Sequence, residues 1–113
     1  MPRSEKVLLE DILEAIQRIE EYTDRMNIED FSNSSLHQDA VARNLSIIGE
    51  AVKGISQRTR EKYSVIDWRK IAGLRDILIH AYFGIDTEIV WDVVQNKLPE
   101  LKNQIQKIIS SHV

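Results

Sequence analysis

The sequence predicts an all-α fold, an up-and-down bundle of four to five helices. Apolar residues recur at intervals of three and four along most of the 113-residue chain, which is the period of a helix buried on one face. No segment alternates apolar and polar residues for long enough to form a convincing strand. Serine and aspartate precede several periodic segments, and glycine or proline interrupts them, as at helix ends. The length suits one compact domain, so we expect residues 1–113 to form a single helical unit.

The first two helices are predicted from long apolar stripes. One helix is expected over residues 5–26, after which the polar residues 27–34 break the rhythm. Ser35, with Gln38 three residues later, is a candidate capping box for the second helix. The charged segment 57–64 has no periodicity, and we interpret it as a loop. The positions that set the two stripes are Leu9, Ile12, Ile16, Ile19 and Met26, then Val41, Leu45, Ile48, Val52 and Ile55.

The second half of the chain predicts two or three more helices. Asp67 is expected to cap a third helix that runs to about Tyr82 and ends at Gly84. Asp86 or Thr87 then caps a fourth. Pro99 either kinks that helix or lies in the first turn of a last one. The apolar positions of this region are Ile89, Val90, Val93, Val94 and Leu98, then Leu101, Ile105 and Ile108.

Composition excludes several classes of protein. The chain has 15 Lys and Arg against 18 Asp and Glu, and its net charge of −3 argues against coating nucleic acid through bulk positive charge. It has no cysteine, which excludes disulfide scaffolds, thiol catalysis and cysteine-based metal sites. No apolar run approaches the ~20 residues of a membrane span, and no secretory signal follows the start, so we expect a cytoplasmic protein.

The third helix carries polar groups where a core helix would not. Between residues 71 and 83, all residues are apolar or small except Arg75, Asp76, His80 and Tyr82. A guanidinium among apolar neighbours needs an anionic counterpart from the protein or from a ligand. A satisfied structural network is the alternative for any one pair. The concentration of four such groups in eight residues favours a functional site.

Helix geometry constrains how these groups could act together. Asp76 and His80 are four residues apart and share a face, so the carboxylate can orient the imidazole. Arg75 and His80 lie about 140° apart on an ideal helix. The length of the arginine side chain, an unwinding near Gly84 or a two-fold axis that supplies a second copy could each bring them together.

The segment from Arg75 to Tyr82 reads R-D-I-L-I-H-A-Y, an R-x4-H-x-Y pattern with a polar residue after the arginine. It resembles the signature of the HEPN superfamily, and specifically of HepT-type toxins. Further blocks that carry the resemblance are I-G-E-A at 48–51, the residues leading from Trp68, F-G-I-D at 83–86, Val90-Trp91 and Leu98-Pro99. The resemblance therefore covers most of the chain.

The resemblance implies a homodimeric, metal-independent endoribonuclease whose active site forms where two motif helices meet. It also implies a partner, a minimal nucleotidyltransferase that acts as antitoxin and transfers AMP to the motif tyrosine. Carried over by position, Arg75 and His80 are the catalytic pair, Asp76 supports them, and Tyr82 is the modified residue. No cofactor and no metal are implied. Glu50 lies in a shared block, but the resemblance assigns it no chemical task.

The chemistry of RNA fits this set of residues. The 2′-hydroxyl beside each phosphate is a built-in nucleophile, so cleavage needs proton transfer and stabilisation of charge on the phosphate. An imidazole with an ordinary pKa of about 6.5 can accept or donate the proton. A guanidinium can hold the non-bridging oxygens.

A basic segment leads into the motif. Residues 53–75 carry seven basic and two acidic side chains, a net charge of +5, so the rest of the chain carries −8. This segregation is typical of an RNA-binding cleft in an acidic protein. A solvated basic loop is the alternative. The candidate RNA-binding residues are Lys53, Arg58, Arg60, Lys62, Arg69 and Lys70.

Two alternative interpretations also fit the sequence. The chain could be a non-catalytic helical module that binds a nucleotide or docks on a nucleotidyltransferase, or a purely structural bundle. His37 and His112 are expected at the surface, and His37, Asp39 and His80 lack a recognisable metal-ligand spacing. Trp68 and Trp91 are expected in the core or a dimer contact rather than stacked on bases.

Overall fold

The computed structural model describes residues 4–74 and 87–111. The predictions for Arg75, Asp76, His80, Tyr82, Gly84, Asp86 and His112 lie outside these residues. The elements in chain order are α1 (Glu5–Thr23), α2 (Ile28–Ser32), α3 (Ser35–Lys53), α4 (Gln57–Lys62), α5 (Trp68–Ala72), α6 (Thr87–Asp92), a π-helical turn (Val93–Lys97) and α7 (Leu98–Ser111). These elements confirm the predicted all-α fold. None of the helices in the described ranges is long and apolar enough to cross a membrane.

Helix α1 begins at a serine cap and ends three residues before its predicted end. The Ser4 side chain accepts a hydrogen bond from the Val7 amide, which satisfies one free donor of the first turn. After Thr23 the backbone leaves the helix: Asp24 is not helical, and Arg25 has a left-handed φ of 64°. An α-helix cannot continue through such a residue.

Helix α2 lies within residues 27–34, the polar segment that the sequence predicts as a break in the helical apolar period. Its Asn27 cap and Asp30 form a reciprocal capping box, with bonds of 2.8 and 3.2 Å. The helix has five residues and buries one of them, Phe31. A single buried side chain produces no periodicity, and this is why the apolar pattern did not predict the helix.

Helix α3 follows the predicted apolar stripe, but its cap is one residue earlier than predicted. Ser34, not Ser35, accepts a hydrogen bond from the His37 amide. The Gln38 side chain donates to the carbonyls of Phe31 and Ser32 instead of closing a capping box. The predicted Ser35–Gln38 box is therefore wrong, and Gln38 joins α3 to the end of α2.

Helix α4 corrects the prediction of a loop over 57–64. Ser56 caps it by accepting a hydrogen bond from the Thr59 amide. Glu5 of α1 accepts hydrogen bonds from the Ser56 amide and the Thr59 hydroxyl, both at 2.7 Å. Because this six-residue helix buries only Thr59, its sequence shows no apolar stripe. Polar bonds from α1 hold it in place.

Helix α5 confirms the predicted aspartate cap but is shorter than the predicted third helix. The Asp67 side chain accepts a hydrogen bond from the Lys70 amide at 3.1 Å. The helix ends at Ala72, and Gly73 turns the chain so that Leu74 enters the core. The prediction of one continuous helix from Trp68 is thus wrong at Gly73.

Pro99 was predicted either to kink the fourth helix or to lie in the first turn of a last helix, and the structure shows the second role. Pro99 lies in the first turn of α7, after the π-helical turn. The Leu98 amide bonds to the Val93 carbonyl, five residues back. Proline has no amide hydrogen to donate and its ring crowds the preceding turn, so a wider turn just before it relieves both constraints. The chain remains helical from Thr87 to Ser111.

The core is formed where α1 packs against α3 and α7. Every described position of the predicted apolar stripes is buried except Met26, Ile89 and Val93, which lie outside these three helices and partly or largely at the surface. Helix α5 packs against α3, and α2 packs against α3 and α6. The side chains that fill the core include Leu9, Ile12, Ile16, Ile19, Val41, Leu45, Ile48, Val52, Leu101, Ile105 and Ile108.

Two leucines of α3 provide a matched test of this core. Leu45 is 1% exposed and Leu36 is 75% exposed. We expect Leu45→Ala to lower the free energy of unfolding by about 2–5 kcal/mol, because it removes buried carbons and leaves a cavity. Leu36→Ala should change it by less than about 0.5 kcal/mol. Equilibrium urea unfolding measures both, and similar losses for the two variants would contradict the assigned register of α3.

Candidate functional site

The residues that precede the R-x4-H-x-Y motif are held in the core. The Trp68 side chain is buried, and its indole N–H donates to the Tyr63 carbonyl at 3.1 Å. Leu74, the residue just before the motif, is buried in the core. These two buried side chains hold the part of the chain that directly precedes the motif. The predicted placement of Arg75, Asp76 and His80 stays a prediction, since they lie outside the described residues.

Five of the six candidate RNA-binding residues are exposed. They lie at the end of α3, on α4 and on α5, and are Lys53, Arg58, Lys62, Arg69 and Lys70. A groove of about 500 Å³ lies between α4 and α5, and its lining includes Arg60, Glu61, Val65, Asp67 and Arg69. This part of the surface thus combines basic side chains with an opening between two helices.

The local partners of these cations leave them available. Lys53 contacts Glu50 at 3.4 Å and Lys70 contacts Asp67 at 3.9 Å, and all four side chains are more than half exposed. Exposed pairs of this kind contribute little, because water and salt screen them. Lys62 lies 5.5 Å from the centre of the Tyr63 ring, within the range of a cation–π contact.

Arg60 differs from the other five candidates. It is half-buried, and its guanidinium donates to the Val52 carbonyl at 2.6 Å and to the Ile55 carbonyl at 3.2 Å. These carbonyls lie at and just beyond the end of α3, where partial negative charge accumulates. Arg60 therefore caps α3 from α4, a role that sequence reasoning missed. Its contact with RNA stays a prediction.

A matched pair of substitutions on α4 tests this role. Arg60→Met keeps the unbranched stem but removes both donors, so the two carbonyls lose their charged partner. We expect a loss of about 1–3 kcal/mol in the free energy of unfolding. Arg58→Met, at an exposed position of the same helix, should change it by less than about 0.5 kcal/mol. Thermal and urea unfolding measure both, and an Arg60→Met variant as stable as the parent would refute the cap.

A second groove, of about 600 Å³, lies between α1 and α3. Its lining is Leu8, Asp11, Arg43, Ser46, Ile47, Glu50 and Ala51. Of the charged residues in this lining, only Glu50 lies in a sequence block that carries the family resemblance, whereas Asp11 and Arg43 lie in ordinary amphipathic segments. Two carboxylates and one guanidinium do not form a phosphate-binding surface.

The two tryptophans and His37 make contacts within the fold. Trp68 is buried in the core, one of the two places predicted for it, and the partly buried Trp91 packs against Phe31 with 5.3 Å between ring centroids. The His37 Nδ1 lies 2.6 Å from the Ser34 hydroxyl at the start of α3. Across residues 4–74 and 87–111, no group of three or more His, Asp or Glu side chains is placed to hold a metal ion.

Comparison with known proteins identifies the class of the fold. The sequence model of the family Ribonuclease HepT-like matches residues 12–108. A protein of Thermococcus cleftensis named "Probable ribonuclease HepT" is 46% identical over 108 residues, which are 96% of this chain and 98% of the relative. A protein of Caldanaerobacter subterraneus named "Putative RNase" is 41% identical over 101 residues, which are 89% of this chain and 90% of the relative. No solved structure matches the chain.

One further relative is a longer protein. A Methanocaldococcus jannaschii protein whose name combines gamma-glutamylcyclotransferase with RNase is 47% identical over 109 residues. The match covers 96% of this chain, but the chain spans only about half the length of that relative, 49%. The similarity therefore concerns one part of a two-part protein.

These matches define an all-α ribonuclease of the HEPN class. The chain belongs to the HepT-like ribonuclease family. This assignment confirms the family that the R-x4-H-x-Y pattern predicted, and with it the predicted enzyme class, an endoribonuclease.

Proposed function

We propose that this protein is the toxin of a type II toxin–antitoxin pair, a metal-independent endoribonuclease that its antitoxin silences. The observation that carries the proposal is the complete R-x4-H-x-Y set, Arg75, His80 and Tyr82, in a chain that the HepT-like ribonuclease family matches from residue 12 to 108. A docking module would have no need of all three residues. The substrate is RNA, the protein works as a homodimer, and its partner is a minimal nucleotidyltransferase.

The proposed reaction uses the nucleophile that RNA supplies. His80 takes the proton of the 2′-hydroxyl, whose oxygen attacks the adjacent phosphorus, and the bond to the 5′-oxygen of the next nucleotide breaks. A second proton donor protonates that leaving oxygen, and His80 of the partner subunit is suited to this step. Arg75 stabilises the charge on the non-bridging oxygens, where it grows in the transition state. Asp76, four residues before His80, orients the imidazole.

The exposed cations around α4 and α5 support an RNA substrate. Arg58 and Arg69 are exposed, and neither makes an ion pair within the described ranges. They belong to the segment of net charge +5 that leads into the motif, in a chain whose remainder is acidic. Such a surface attracts the phosphate backbone and holds it beside the catalytic residues. The contacts that it makes with phosphates do not specify the sequence that is cut.

Silencing follows from the position of Tyr82 in the same motif. The Tyr82 phenol oxygen attacks the α-phosphorus of ATP in the nucleotidyltransferase, pyrophosphate leaves, and the phenol proton passes to solvent. The attached AMP brings bulk and a negative phosphate into the motif. It then competes with the RNA backbone for the Arg75 guanidinium.

A cleavage assay in chelator tests the catalytic proposal. The purified protein should cut single-stranded RNA in EDTA and leave 2′,3′-cyclic phosphate and 5′-hydroxyl ends, because the 2′-oxygen is the nucleophile. We expect His80→Ala to lower the rate about 10²–10⁴-fold, the usual contribution of general acid–base catalysis. The ends are identified by mass spectrometry of the products.

His37→Ala is the matched control, since it removes a histidine at the start of α3. It should cut RNA at the parental rate. A His80→Ala variant that also cuts at the parental rate would refute the mechanism. RNA that stays intact under all conditions would favour a non-catalytic binding module instead.

A modification assay tests the silencing proposal. Incubated with ATP, Mg²⁺ and the nucleotidyltransferase encoded beside it, the protein should gain the mass of AMP and lose RNA cleavage. Tyr82→Phe should gain no mass, because it lacks the phenol oxygen. Tyr22→Phe, at an exposed tyrosine of α1, should be modified like the parent. Intact-mass spectrometry gives the result, and a Tyr82→Phe variant that still acquires AMP would contradict the assignment.

A further inference from the structure

The groove between α4 and α5 has no net charge, although most of the exposed charged side chains around it are basic. Its lining contains two cations, Arg60 and Arg69, and two carboxylates, Glu61 and Asp67. Arg60 binds the carbonyls at the end of α3, and Asp67 caps α5 and contacts Lys70. One guanidinium and one carboxylate thus remain for a ligand. Because a phosphate would meet that carboxylate as well, the groove favours an uncharged part of the RNA.

One wall of the groove carries a pair of hydrogen-bonding side chains. Gln57 and Glu61 lie four residues apart on α4, and the Gln57 amide nitrogen donates to the Glu61 carboxylate at 3.1 Å. Both side chains are exposed. The amide nitrogen has a second hydrogen to donate, and both carboxylate oxygens can accept further hydrogen bonds. The pair therefore presents one donor beside two acceptors.

This order of donor and acceptors is complementary to guanine. The Watson–Crick edge of guanine has one acceptor, O6, followed by two adjacent donors, the N1 hydrogen and the N2 amino group. Adenine and cytosine have one amino group beside a ring nitrogen that accepts, and uracil has one N–H between two carbonyl oxygens. A carboxylate can only accept. Among the four bases of RNA, guanine is thus the one that offers it two neighbouring donor atoms.

The segment that leads into α5 supplies surface for the flat faces of a base. Val65 lines the groove and is 80% exposed, so a base that covers it would remove apolar surface from water. Arg69 is exposed and has no ion pair in the part of the chain that the structure describes. Unpaired RNA bases stack on guanidinium planes of this kind. The volume of about 500 Å³ lies within the range of clefts that bind small ligands.

Exposed cations lie beside the groove, where they can reach the phosphates of an RNA whose base enters it. Arg58 and Lys62 each follow a groove residue of α4, so their row runs next to the row of Gln57 and Glu61, about 100° around the helix. Both cations are exposed. A phosphate bound on this row avoids the Glu61 carboxylate. Phosphate contacts would then position the RNA, and contacts in the groove would select the base.

We propose that the α4–α5 groove is a specificity site that binds one unpaired guanine of the RNA substrate. Gln57 donates to its O6, and Glu61 accepts from its N1 hydrogen and its N2 amino group. Arg69 and Val65 pack against its faces. The proposal rests on the proposed function, because it requires an RNA substrate. It assigns to α4 the selection of sequence that the phosphate contacts leave open.

A binding experiment with the His80→Ala variant, which should leave the RNA intact, tests the site. The probes are single-stranded octamers of uridine that carry guanosine, inosine, adenosine or uridine at one central position. We expect the guanosine probe to bind about 5- to 20-fold more tightly than the uridine probe, as for one bidentate contact with a base. The inosine probe lacks the N2 amino group and should bind more weakly than the guanosine probe. Fluorescence anisotropy measures the four dissociation constants.

A matched pair of substitutions identifies the carboxylate that selects guanine. Glu61→Gln and Glu10→Gln each remove one negative charge from an exposed helical position, so they change the general attraction for RNA alike. Glu61→Gln should bring the affinities for the guanosine, inosine and uridine probes close together, because an amide donor replaces an acceptor oxygen. Glu10→Gln, on α1, should keep the parental ratio. Circular dichroism checks that both variants are folded.

Mapping of the cut sites separates this site from the proposed function. On an RNA of mixed sequence, the protein with an intact His80 should cut at one constant distance from a guanine, and Glu61→Gln should lose this relation. Cuts in chelator without any relation to guanine would overturn the site and leave the ribonuclease proposal intact. Guanine-selective binding without cleavage would support the site and contradict the catalytic proposal.

The binding data alone can also overturn the site. Equal affinity for the four probes, a preference for adenosine, or a guanosine preference that persists in Glu61→Gln would each do so. A protein that binds none of the probes would overturn it as well, while the cleavage assay would still decide the ribonuclease proposal.

Discussion

The packing of α1 against α3 is the contact on which the rest of the structure depends. Both helices have 19 residues and bury apolar stripes that face each other. Helix α7 packs on α1, and the shorter α2 and α5 pack on α3. Because burial of apolar surface is the dominant stabilising term of a small domain, the short helices owe their positions to this pair. The R-x4-H-x-Y segment of the sequence follows α5, which packs on α3.

Side-chain hydrogen bonds at helix ends hold short helices that bury too few apolar side chains to be held by the core alone. Helices of five or six residues are unstable alone, because nucleation fixes several residues for very few hydrogen bonds. In this protein two of them are tied to a neighbour: Glu5 of α1 holds the start of α4, and Gln38 of α3 holds the end of α2. Arg60 of α4 in turn binds the end of α3. These hydrogen bonds fix the positions of α2 and α4 relative to the two long helices.

The sequence predicted the long helices well and the short ones poorly, for a physical reason. Periodicity reports repeated burial of one face, so it predicted α1, α3 and α7 with their buried stripes. Helices α2 and α4 bury one residue each, Phe31 and Thr59, and no period can be read from one position. The same limit applies to the site. Residue types in the motif indicated the chemistry, but only coordinates distinguish Arg60, bound to two carbonyls, from its exposed neighbour Arg58.

The π-helical turn before Pro99 fixes the length of the chain between α6 and α7. Val90 and Val94 precede Leu98 at intervals of four, and all three are buried. Each residue added to or removed from a helix rotates everything beyond it by about 100°. The π-helical turn already holds one residue more than an α-helical turn, so a further insertion at 93–97 would turn the buried face of α7 towards water. Insertions that separate members of this family should accumulate at the ends of the short helices and spare this turn.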